Sequence, residues 1–282
     1  MTFVLALASA AVYGSADFLG GMASRRTTAL RVVAISQGIG LVVVLGTIPL
    51  FGPARVMASD LGWGAAAGVC GALGVLFLYR ALAIGTMSVV APLTAVFAAV
   101  VPVIVGVLRG ERPAVAARFG IALALVAIAL VSRSTREETR GGAQTSSRRS
   151  IVIALGAGLL IGFFLVALDG ASDDAGLWTL AIARVVGLAV LLPLAIPRGL
   201  RPPRAAVAPI VGSGVLDMAA NILYVLAVMR GMLALVATLV SLYPAATVLL
   251  ARGVYGERLE PVQKLGVALA LGAVALIGWG SG

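Results

Sequence analysis

An all-α membrane protein of ten transmembrane helices, arranged as two inverted five-helix repeats, is the fold class that three observations predict. Of 282 residues, 61% are hydrophobic and 11% charged, and the mean hydropathy is +1.11. Apolar runs of about 20 residues recur along the chain, each long enough to cross a ~30 Å hydrocarbon layer. One passage is also written twice: GERPAVAARFGIALALVAIAL at 110–130 and GERLEPVQKLGVALALGAVAL at 256–276, with 11 of 21 residues identical at a constant shift of 146.

The spans fall near 3–22, 29–51, 61–83, 86–108 and 114–132, then 150–169, 176–197, 205–229, 232–254 and 262–280. Lipid offers the backbone no hydrogen-bond partner, so runs of this length must be helices. The first run contains the small-residue string Ala8-Ser9-Ala10 but has no Lys or Arg before it, unlike a cleaved leader. Leu5-Ala6-Leu7 up to Gly14 also resembles Ile153-Ala154-Leu155 up to Gly162, so the run reads as the first span of a repeated unit. Residues 133–149 are polar and Gly- and Ser-rich without apolar period, a linker between a first repeat at 1–132 and a second at 150–282.

Gly85 to Val131 pairs with Gly231 to Ile277 at the shift of 146, and Gly40-Leu41 with Gly187-Leu188 at 147. Five spans per half is an odd number, so the second half enters the membrane from the opposite side. Such inverted repeats are typical of secondary transporters, with the binding site at the repeat interface near the midplane. Gly64, Gly68, Gly71 and Gly74 in span three, and Gly158 and Gly162 in span six, form small-residue faces suited to close helix contact. Pro92, Pro102 and Pro244 remove backbone donors and are expected to bend spans four and nine.

Composition also excludes functions. The net charge of +10 lies in short connectors between apolar spans, where arginines anchor at headgroups rather than bind nucleic acid. Cys70 is the one cysteine, and histidine is absent, which removes a disulfide, thiolate metal sites and the commonest proton relay. The aspartates sit in GSAD and GVLD rather than GxGD, and no GxSxG, HExxH or phosphate loop occurs. The expectation is a non-enzyme working without metal, nucleotide or prosthetic group.

The two Gly-Glu-Arg strings (110–112 and 256–258), each leading into a Gly-Ala-Leu-rich fifth span, resemble the drug/metabolite transporter superfamily, EamA-like branch. Tyr13-Gly14 in span one and Ala91-Pro92-Leu93 in span four fit the same resemblance, which covers the whole chain. It implies a multi-pass protein of the cell membrane with a central cavity lined by spans one, three, four, six, eight and nine, spans five and ten being peripheral. It implies secondary transport of a small metabolite, amino acid or drug-like solute by alternating access, often export. A lipid flippase on the same fold is the alternative.

An ionisable side chain at bilayer depth costs on the order of 2.5–3.5 kcal/mol on insertion scales, so each needs a partner or a task. Asp17, Arg184 and Asp217 lie well inside predicted spans. Asp217 is about 18 Å from either end of span eight, and Ser213, Asn221 and Tyr224 share its helical face. The positions 146 earlier are Ala67, Gly71, Val75 and Leu78, so the scaffold itself does not require the polar stripe. Tyr13 lies one turn before Asp17. Ser213, Asp217, Asn221, Tyr224, Tyr13 and Asp17 are the candidate substrate-binding residues; Asp217, Asp17 and Arg184 are candidates for ion coupling or a charge pair. With no histidine, proton coupling would fall to a carboxylate, and Asp217 is the first candidate. Arg184 corresponds to Gln37 in the first half, a shared polarity that favours a structural role, such as an ion pair with Asp217 or Asp169. Tyr79, Phe97, Phe163, Phe164 and Tyr243 are candidate cavity aromatics. The glutamates of the Gly-Glu-Arg strings are expected to end helices and pair with the next arginine.

Connectors after odd-numbered spans hold fifteen Lys and Arg, those on the other side five. Positive-inside bias therefore places both termini outside. The family resemblance implies the opposite.

Overall fold

The computed structural model of the chain describes residues 1–51, 54–85, 87–131 and 148–255, with scattered positions between 261 and 276. Its α-helices are α1 (Thr2–Ser24), α2 (Ala29–Thr47), α3 (Ala58–Ile84), α4 (Met87–Leu108), α5 (Val115–Val131), α6 (Arg148–Asp169), α7 (Trp178–Ala195), α8 (Arg204–Val228), α9 (Leu233–Val240) and α10 (Tyr243–Tyr255). No strand occurs among the described residues. Six helical segments, those built on α1, α2, α3, α6, α7 and α8, are long and apolar enough to cross a membrane. The expected tenth span and the second Gly-Glu-Arg string lie largely outside the described residues, as does most of the linker, whose last two positions begin α6.

The halves run in opposite directions. Thr2 Oγ1 donates to Arg230 O, placing the start of α1 beside the end of α8. Arg109 and Asp169 pair at 2.5 Å, placing the end of α6 at that same end of the bundle through α4. Contacts across the halves come in related pairs: α1 packs on α8 as α6 packs on α3, and α2 on α8 as α7 on α3. The interface is therefore pseudo-symmetric. Close approach depends on glycine at matched places. A Cβ on Gly14 of α1 would collide with the Tyr243 carbonyl, and one on Gly162 of α6 would lie 2.7 Å from Val101 Cβ of α4.

The expected ninth span is not one helix but two. Pro244 has no N–H to give to the Val240 carbonyl, and its ring crowds that carbonyl, so the hydrogen-bond ladder is weakened at this point. Instead Ser241 N bonds Ala237 O at 2.9 Å and Leu242 N bonds Leu239 O at 3.2 Å, closing α9 in a turn before α10 begins. The repeat-related α4 runs through Pro92 and Pro102 as a single helix. At eight residues, α9 is far too short to span a bilayer alone.

Glu111 does more than end a helix beside Arg112. Its carboxylate accepts from Leu233 N at 2.7 Å and Ala234 N at 3.0 Å, capping the first turn of α9 in the other half. Gly110, with φ of 93°, supplies the left-handed turn that aims it there. Capping two otherwise orphaned donors of so short a helix contributes on the order of 1 kcal/mol.

Candidate functional site

Between the halves lies a cavity whose envelope, including space open to the surroundings, is about 740 Å³. Seen from α8, its polar side is Asp217 and Asn221; from α1, Tyr13 and Asp17; and from α2 and α7, Gln37 and Arg184. The facing wall is apolar and smooth, made by Ala67, Gly68, Gly71, Ala72, Val75 and Leu78 of α3 with Ile161, Phe164 and Leu165 of α6. Val240, Ser241 and Tyr243 line it at the break between α9 and α10. α2 and α7 thus join the lining, which the family resemblance did not imply; the described residues of α5 contribute nothing to it.

Arg184 is the hub. Its Nη2 donates to Asp217 Oδ2 at 2.6 Å and its Nη1 to Gln37 Oε1 at 2.5 Å. The Arg184 side chain is 7% exposed and that of Asp217 15%, so this is a largely desolvated pair. A buried charge pair is tolerable only when its remaining valences are met. Asn221 Nδ2 helps, donating to the Asp217 carbonyl at 2.7 Å and lying 3.4 Å from Asp217 Oδ2. Asp169 is not the partner of Arg184; it pairs with Arg109 at the bundle end. Gln37 and Arg184, equivalent positions of the two halves, touch each other, which a pseudo-two-fold axis running between α2 and α7 requires.

The stripe on α8 is divided. Asp217 and Asn221 line the cavity, whereas Ser213 and Tyr224 are fully buried and bonded to other helices. The Ser213 hydroxyl lies 2.8 Å from Tyr79 Oη of α3, and Tyr224 Oη donates to Leu165 O of α6 at 3.0 Å. As substrate ligands they are therefore already occupied, because the helical face they share is longer than the cavity. They tie α8 to its neighbours on either side of it.

Asp17 is 7% exposed, and among the described residues it has no hydrogen-bond or ion-pair partner. Arg26, nine residues further along the chain, donates to Ala205 O at 2.5 Å. Among the described residues five buried side-chain polar atoms lack a hydrogen-bond partner; Tyr13 Oη, Asn221 Oδ1 and Ser241 Oγ belong to residues that line this cavity, and Ser24 Oγ and Thr179 Oγ1 to residues that do not. Ser241 is not among the residues that the sequence singles out; a polar residue three before a proline in an otherwise apolar span is the signal that marks it. Of the aromatics, Phe164 and Tyr243 face the cavity, Tyr79 is consumed by Ser213, and Phe163 is 52% exposed on the outer surface. No cluster of metal-ligating side chains occurs among the described residues.

Antiparallel halves around a central cavity, with six helices long and apolar enough to cross a membrane, define the class: a multi-pass integral membrane protein. Residues 1–133 and 148–279 match the family model described as the EamA-like transporter family, and the chain belongs to that family. A solved structure titled only "Crystal structure of protein" is similar over 97% of each chain, at 18% identity and a TM-score of 0.69, which establishes likeness of fold. No curated protein matches the chain.

Proposed function

We propose that the protein is a secondary carrier of a small, partly apolar solute, spanning the cell membrane ten times and exporting its substrate by alternating access through the central cavity. The observation that carries this reading is the set of unpartnered buried polar groups on residues around the space between two antiparallel halves. Groups desolvated without compensation cost free energy, and a ligand that satisfies them recovers it. Asp17, Tyr13 and Asn221 hold the solute. Asp217, fixed by Arg184, serves as a structural anion in this conformation, and its exchange between Arg184 and a proton is the coupling step. Family membership supports the transporter class, and the lack of a phosphate loop in the sequence favours a gradient over nucleotide hydrolysis as the driving force.

Proteoliposome transport tests this. Solute movement is expected to collapse when the proton gradient is dissipated and to ignore ATP. Dependence on ATP hydrolysis would overturn the reading. Asn221→Ala is expected to weaken solute binding by about tenfold, the worth of one good hydrogen bond in a dry site.

Orientation follows from charge. Arg25, Arg26, Arg31, Arg80, Arg149, Arg198, Arg201 and Arg204 gather at one end of the bundle with no acid among the described residues there. At the other end, Arg55, Arg109, Arg112, Arg118 and Arg230 are matched by Asp60, Glu111, Asp169, Asp173 and Asp174. The strongly basic end is proposed to face the cytoplasm, leaving the N-terminus outside. A cysteine introduced in the 133–149 linker of a Cys70-free protein should resist labelling by an impermeant reagent applied outside; ready labelling reverses the assignment.

A further inference from the structure

We infer that the solute carried in this cavity is an organic cation, a primary or secondary ammonium on a compact apolar body, with Asp17 as its counter-charge. The inference rests on the carrier reading and deepens it.

The charges decide the sign. Among the described residues, two carboxylic acids and one guanidinium line the space: Asp17, Asp217 and Arg184. Arg184 and Asp217 neutralise one another at 2.6 Å, and the second terminal nitrogen of Arg184 is engaged by Gln37. Of these three, Asp17 is left without a counter-charge, and the only charge its carboxyl can carry is negative; an unpaired charge is costly in so dry a place, so a cation beside it is what would stabilise the carboxylate. A carboxylate or phosphate solute would meet that charge while the cation in this lining is already committed.

The hydrogen-bonding groups agree. Asn221 has its amide nitrogen pinned to the Asp217 carbonyl, which leaves Oδ1, an acceptor, as its unpartnered atom. Ser241 Oγ and Tyr13 Oη are hydroxyls free to accept. Asn221 and Ser241 are each 1% exposed, so neither is satisfied by bulk solvent. A carboxylate, an amide oxygen and two hydroxyls form an acceptor-rich set, and an ammonium brings two or three N–H donors with its charge.

The opposite wall decides between an organic and an inorganic cation. A sodium ion needs oxygen on every side, but here half of the surround is methyl, methylene and ring surface from Ala67, Val75, Leu78, Phe164 and Leu165. A cation with a hydrocarbon body fits both walls at once: head towards α1 and α8, body along α3 and α6.

Thermal-shift and calorimetric titration of the purified protein with a matched series test the assignment: phenethylamine, 2-phenylethanol and 3-phenylpropanoate, with sodium against choline chloride at equal ionic strength. The amine is expected to bind about tenfold or more tighter than the alcohol, and the carboxylate not at all. Asp17→Asn should erase the preference for amine over alcohol while keeping the weak binding of the alcohol, and Asp17→Glu should retain the preference. Should Asp17→Asn not fold, labelling of wild-type Asp17 by a hydrophobic carbodiimide, followed by peptide mass spectrometry, should be blocked by phenethylamine and not by 2-phenylethanol. Equal affinity for amine and alcohol, an unchanged preference in Asp17→Asn, carbodiimide labelling indifferent to the amine, or stabilisation by sodium alone would each overturn it. If proteoliposomes carry a neutral or anionic solute while no amine binds, this inference falls and the carrier reading stands. If they carry nothing, the carrier reading has failed with it.

Discussion

α3 and α8 occupy equivalent places in the two halves, yet they are opposite kinds of wall. Where α8 carries Ser213, Asp217, Asn221 and Tyr224, α3 carries Ala67, Gly71, Val75 and Leu78 at the shift of 146. α3 is shaped by contact: a Cβ on Gly68 would stand 2.6 Å from the Ala183 carbonyl, and one on Gly71 would stand 2.8 Å from Phe164. α8 is shaped by charge, with Asp217 fixed to Arg184 and both ends of its polar face tied to other helices. The repeat supplies the frame, and the divergence between its copies supplies the chemistry. One smooth wall and one polar wall make a cavity that orients what enters it, which two identical walls would not do.

The sharpest way to break the comparison is to remove the charge on α8. Asp217→Ala leaves the Arg184 guanidinium buried without its counter-ion, and a loss of about 3–5 kcal/mol is expected in unfolding measured in detergent. The double variant Arg184→Gln with Asp217→Asn keeps polar contacts but no charge and should recover most of that loss. If Asp217→Ala unfolds like the parent protein, α8 is not organised by the pair.

On α3 the corresponding test is steric. Gly68→Leu drives a side chain into the backbone of α7 and should cost about 1–3 kcal/mol, read as a lowered melting temperature. Gly62, on the same helix, provides the control, because a Cβ added there would meet nothing within 4 Å. Gly62→Ala should leave the protein unchanged or slightly firmer, since alanine is the better helix former.

A smaller effect is expected where the two walls meet. Tyr79→Phe removes the bond to Ser213 across the halves and leaves a buried hydroxyl alone, for about 1 kcal/mol. Because this contact joins α3 to α8 beyond the cavity, the same variant should also speed solute exchange in counterflow assays. An unchanged rate would make the contact a packing feature only. Least affected should be Phe163→Leu, which alters a lipid-facing surface and should stay within about 0.5 kcal/mol of the parent.

Why the frame is readable from the chain, and the site only partly, follows from these contrasts. Span length and the repeat are set by the thickness of lipid and by duplication, and both are properties of the linear chain. The polar stripe on α8 is visible from its helical period, but period gives a face and not its extent, so it groups Ser213 and Tyr224 with residues that alone reach the cavity. That Gln37 and Arg184 share polarity is evident from the shift; that they touch depends on where the pseudo-axis falls, which no spacing encodes. Pro244 announces a bend. Whether a bend becomes a break depends on neighbours able to surround the loosened turn, here including a glutamate 122 residues earlier that caps α9 at its other end. The isolation of Asp17 is hidden for a like reason, since Arg25 and Arg26 are close in sequence while the Arg26 side chain reaches away to α8.

The contact between Gln37 and Arg184 carries one more consequence, and it concerns ancestry. In an assembly of two separate, identical halves, a residue beside the two-fold axis meets its own copy: glutamine would face glutamine, and arginine would face arginine. The second arrangement sets like charges against each other in a dry interior and is not sustainable. A single arginine there, with an aspartate beside it and a glutamine opposite, is available only once the two halves have different sequences. The central charge of this protein is therefore something a dimer of identical halves could not have held, and divergence between the halves is its precondition.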